Sequence, residues 1–74
     1  MNQAKHECLL ALKTFIEESS NENKMELIIL YDEIIEEEKV SVLGDELNDV
    51  LSKIVLENYH PDEFLINLKL RFFS

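Results

Sequence analysis

Catalysis and metal binding need particular side chains within reach of one another, and this 74-residue chain holds few candidates. Cys8, His6 and His60 are its only thiol and imidazoles. His6 and Cys8 stand two apart, which on a helix points them to different sides, so they form neither a nucleophile–base couple nor a metal pair. Glu57-x-x-His60 matches one half of the carboxylate-bridged di-iron pattern, but that site takes two such pairs and two further glutamates from a four-helix core. The run Gly44-Asp45-Glu46-Leu47-Asn48-Asp49 supplies oxygen donors without the alternating acids and closing glutamate of a calcium loop. One glycine in the chain leaves no glycine-rich phosphate loop. The inventory implies no enzyme, no bound metal and no cofactor, and Cys8 reads as a small core hydrophobe.

The acids are the stronger signal. Residues 1–24 hold four acids and three lysines, residues 25–58 ten acids and two lysines, and residues 59–74 two of each sign. Eight of the nine net negative charges therefore fall between Glu26 and Glu57. Such a field concentrates cationic partners and speeds their encounter, while it repels nucleic acid and anionic membranes. The short basic-aromatic cluster Lys69, Arg71, Phe72 and Phe73 does not reverse that balance.

The elements that must position these acids follow from apolar spacing. Cys8, Leu9, Leu12, Phe15 and Ile16 predict a helix over about Gln3 to Ser19. Ser19-Ser20-Asn21 ends it, and Asn23 is the expected N-cap of a second helix to about Glu38, with Leu27, Ile28, Tyr31, Ile34 and Ile35 inward. Val40 and Val42 alternate ahead of Gly44, which predicts an extended connection or short strand over Lys39 to Gly44. A third helix from about Asp45 to Asn58 would bury Leu47, Val50, Leu51 and Ile54. Leu43 joins that stripe if the helix starts earlier. Pro61, Asp62 and Glu63 look like the first turn of another helix, with acids at its positive dipole end. Phe64, Leu65, Leu68 and Phe72 then fit a helical face, although alternation at Ile66, Leu68, Leu70 and Phe72 leaves a strand as the alternative for residues 66–73. The expected fold is one all-α domain over residues 1–74, a small bundle of three to four short helices. At this length a single core supports roughly 3–5 kcal/mol of stability, so a partner or second copy would add to it. The opening residues lack a cationic-then-apolar leader and no uncharged run, Leu27 to Tyr31 included, exceeds five residues, from which a cytoplasmic protein is expected.

At 100° per residue, with Tyr31 centred inward, Glu26, Glu33, Glu36 and Glu37 fall on the outward side of the second helix and Asp32 at its border. Ile29 falls among them. On the third helix Asp45 and Asp49 point outward with Leu56 between them in angle, and Glu46 adds a further carboxylate. An aliphatic side chain in an acidic outward face is a solubility cost unless something covers it. If the two helices lie side by side, their carboxylates would frame a few apolar anchors, with Tyr59 as another anchor, for a basic partner.

The order of an amphipathic first helix with Leu9, Leu12 and Phe15, an acidic second helix, Gly44-Asp45-Glu46-Leu47 and a later Pro61-Asp62 resembles the small acidic helical immunity proteins of the colicin D and contact-dependent inhibition type. His60-Pro61-Asp62 followed by Leu65-Ile66 is similar to a stretch of the nuclease-colicin immunity proteins. The resemblance implies an inhibitor that covers a basic nuclease-toxin site, its carboxylates standing in for phosphates. Two other functions use the same residues: a phage-type nucleic-acid mimic acting on a host defence protein, and a homodimeric regulatory module joined through Ile29, Leu56, Phe72 and Phe73.

Overall fold

A computed structural model describes residues 3–73 of the chain. Among the described residues there is no strand, and five α-helices occur in place of the expected three to four: α1 (Gln3–Glu17), α2 (Asn21–Asp32), α3 (Lys39–Leu43), α4 (Asp45–Val55) and α5 (Asp62–Phe73), with a 3-10 turn at Glu36–Glu38 ahead of α3. α1 is the central element and packs against α2, α3 and α5, while α4 packs on α2 and α3.

The turn between α1 and α2 is closed by its polar side chains. Ser20, not Asn23, is the N-cap: its hydroxyl accepts the Asn23 backbone N–H at 3.2 Å. Asn23 instead donates its side-chain amide to the Glu18 carbonyl at 2.7 Å, satisfying an orphan acceptor at the end of α1. A three-residue connection of this kind makes α1 and α2 antiparallel neighbours.

α2 stops at Asp32, six residues before the expected Glu38. The chain bends at Ile34 and Ile35, so Ile34 is buried while Ile35 is exposed instead of facing inward. Three consecutive glutamates follow on the 3-10 turn. The first of them, Glu36, pairs with Lys39, the one buried charged residue among those described, at 6% exposure. Its ammonium donates to the Ile34 carbonyl at 2.6 Å, pairs with Glu36 at 3.5 Å and sits 4.6 Å from the Tyr31 ring centroid. Residues 39–43 form a helix and not the extended segment expected from Val40 and Val42. With Lys39 anchored, the next turn closes through the Gly44 amide on the Val40 carbonyl at 2.8 Å, and Leu43 is buried.

Gly44 ends α3 and precedes α4 with φ +89° and ψ 156°, a conformation open essentially to glycine alone. α4 then buries Leu47, Val50, Leu51 and Ile54 as their spacing predicts. Asn58, in the left-handed region at φ 55°, reverses the chain, with the Tyr59 amide on the Lys53 carbonyl at 2.8 Å. α5 opens as its proline and acids predict, the Pro61 carbonyl accepting the Leu65 amide at 3.1 Å. It continues as helix through Phe73, which settles residues 66–73 in favour of helix; Leu65 and Leu68 are buried. The core joins Cys8, Leu12 and Phe15 of α1 to Leu27, Tyr31, Leu43, Leu51, Ile54 and Leu68.

Candidate partner-binding surface

Three contacts fix how the acidic elements stand to one another. The Tyr31 hydroxyl, at the end of α2, bonds the Asn48 side-chain oxygen near the start of α4 at 3.1 Å. Lys5, Leu9 and Phe72 line one cavity with Gly44–Leu47, while His60, just past α4, stands edge-on to Phe15 near the end of α1 at 5.5 Å. α4 therefore runs parallel to α1 and antiparallel to α2. The end of α2, the 3-10 turn and the start of α4 meet at one end of the molecule, and they bring Asp32, Glu33, Glu36, Glu37, Asp45, Glu46 and Asp49 there.

All ten residues expected to bind a partner are exposed. They are not all on one face. Asn48 marks the side of α4 turned to α2, so Asp32 on α2 and Asp45 and Asp49 on α4 open beside that seam. Glu26 lies round the other side of α2, in the groove with α1, beside Glu7, Leu10, Asn23 and Leu30. Glu33 also leans toward α1, near enough to Cys8 for its charge to oppose ionisation of the thiol. Glu46 is held by Arg71 of α5, and Asp49 by Lys53 at 3.2 Å. Tyr59 is at the far end of α4, its ring 5.1 Å from Phe64. Leu56, 69% exposed, shares an azimuth with Asp45 but sits about three turns away, at that same far end.

Ile29 is 51% exposed in the middle of α2. On the helix surface Glu22, Glu26 and Glu33 surround it on one side and Asp32 on the other, all exposed. Met25, four residues earlier, is exposed on the same face, and sequence spacing alone could have found it as the companion of Ile29. The buried position of Lys39 had no such signal, because a lysine after three glutamates reads as one more solvated charge.

The titrations that shift belong to the core behind this surface. Burial raises the Cys8 thiol above its ordinary 9.0, helped by Glu7 and Glu33 and opposed by Lys39. Burial likewise raises the Tyr31 phenol above 10.0, with Glu36 and Asp32 adding to it. Both groups are kept neutral, so neither is an activated nucleophile or a general base near neutral pH. Among the described residues no three His, Cys, Asp or Glu side chains converge as a metal site would require. No described helix is long and apolar enough to cross a membrane. The chain matches no protein-family model, no curated protein and no solved structure against which it was compared.

Proposed function

We propose that this chain is a non-catalytic inhibitor that covers a basic, nucleic-acid-binding surface of another protein, with a nuclease toxin as its target, in the manner of the small acidic immunity proteins it resembles. The observation that carries this is Ile29, half exposed with Met25 beside it and ringed by Glu22, Glu26, Asp32 and Glu33. An apolar anchor within a frame of carboxylates is the complement of a basic site with an apolar floor. The charges steer the encounter and the anchor supplies desolvated contact. The carboxylates at the end of α2 and the start of α4 extend the frame toward a phosphate-binding groove. Blocking such a groove needs no chemistry from the inhibitor and places it in the compartment where the toxin would act, the cytoplasm.

The test is retention of a basic protein from the source cell by the tagged chain at low salt, followed by assay of that protein's nuclease activity with and without the chain. The expected result is loss of nuclease activity at equimolar inhibitor. Glu26→Lys with Glu33→Lys should slow association about tenfold or more, and Ile29→Asp should speed dissociation, since rim charges act on the on-rate and central anchors on the off-rate. A retained protein that both variants bind as tightly as the wild type would rule out this face.

A further inference from the structure

Apolar side chains stand on both sides of α5, and only one side is buried in the core. Leu65 and Leu68 are buried and Phe64 and Phe72 half-buried, whereas Ile66 and Leu70 are 60% and 61% exposed. Phe73, on the same outer stripe, is partly covered. Ile66, Leu70 and Phe73 follow at i, i+4 and i+7, one continuous ridge on a helix about 18 Å long. An apolar ridge left outward among the charged and polar residues of α5 is the mark of a contact surface.

Charge decides what fits there. α5 carries Asp62 and Glu63 in its first turn and Lys69 and Arg71 in its last two, so its net charge is zero and the whole −9 lies elsewhere. It is therefore the part of this molecule least suited to a basic partner, and the part on which two copies repel least. Asp62, Ile66 and Lys69 also line one groove, beside Ile16 of α1, and so stand on the same flank of the ridge. Asp62 and Lys69 are seven residues apart, two turns, and flank Ile66 almost symmetrically. Two α5 helices crossing antiparallel at Ile66 would bring each Asp62 opposite the other's Lys69, twice over by symmetry.

We propose that the chain self-associates through this face of α5, as a two-fold antiparallel pair with Ile66 at its centre, Leu70 beside it and Asp62–Lys69 pairs on its edge. The surface is distinct from the Ile29 face, so the dimer stands or falls independently of the inhibitory role. One helix face is smaller than the roughly 800 Å² per partner of a stable interface, so the pair forms at micromolar concentrations and above.

Sedimentation across about 10 μM to 1 mM should show the mass rise from 8.7 kDa toward twice that value. Leu70→Glu, at an exposed position, should remain a monomer throughout with unchanged helical circular dichroism. Asp62→Lys and Lys69→Asp alone should each weaken association about tenfold, since two edge pairs turn from attractive to repulsive, and the double exchange should restore it. A wild-type chain that stays monomeric at 1 mM, or a Leu70→Glu chain that dimerises like it, would overturn the proposal. A double exchange no tighter than the single variants would overturn the antiparallel register.

Discussion

Lys39 does the work of several residues. Its stem fills space in the core, its ammonium satisfies a carbonyl freed where α2 ends, and its charge faces both Glu36 and the Tyr31 ring. Tyr31 carries its hydroxyl across to Asn48, so this one contact set joins α2, the acidic turn and α4. The phenol has a consequence for pH. Because its native value lies above 10.0 and that of Cys8 above 9.0, the unfolded chain loses these protons first as pH rises. Stability from both groups is complete below pH 9 and is lost on going up through their native values. Tyr31→Phe is expected to cost about 0.5–1.5 kcal/mol at pH 7 through the lost hydrogen bond and to flatten the alkaline decline. Urea titrations at pH 7 and at pH 10.5 would show both effects. An equal loss at the two pH values would mean that the tyrosine does not titrate in this window.

The helices were legible where apolar spacing and packing agree. Cys8, Leu12 and Phe15 on α1, and Leu47, Val50, Leu51 and Ile54 on α4, have the helical period and are buried. The segment between Glu33 and Gly44 was not legible. Its structure rests on a buried lysine bonded to a carbonyl five residues back, which leaves no trace in hydropathy, and two valines in alternation imitated a strand. Of the candidate surface, the exposure of its residues was foreseen, but its division between the α2–α4 seam, the α1–α2 groove and the far end at Tyr59 follows from helix directions that periodicity does not encode. The junction of α3 and α4 shows how narrowly the segment is held. A Cβ on Gly44 would meet nothing within 4 Å, so crowding is not the obstacle; the obstacle is φ +89°. Gly44→Ala should therefore cost about 1–3 kcal/mol, measured by denaturant titration, and a neutral result would show that the junction relaxes into another turn.

The whole molecule reaches a folded size on a thin core. Its radius of gyration, 11.2 Å, is close to the value of about 11 Å expected for a compact chain of this length. Within 30 × 24 × 19 Å it confines a formal charge of −9. The exposed pairs Lys53–Asp49 and Arg71–Glu46 lose strength when salt is added, but such pairs contribute at most about 1 kcal/mol each. Repulsion among sixteen carboxylates against seven cations is the larger effect and is screened by the same salt. The melting temperature is therefore expected to rise by several degrees between about 10 mM and 500 mM sodium chloride. A fall over that range, followed by circular dichroism at fixed protein concentration, would show that the ion pairs outweigh the repulsion.

The cavity shared by Lys5, Leu9, Gly44 and Phe72 closes the molecule on itself in a way that can be used. It sets the first turns of α1 beside the last turn of α5, at the corner where α3 passes into α4. A donor dye near the start of α1 and an acceptor near the end of α5 would sit well inside the range of efficient energy transfer while the chain is folded. They would separate when it unfolds, and both would stay clear of the outer face of α2, so that a single doubly labelled molecule could report folding while Ile29 remains free to engage a partner.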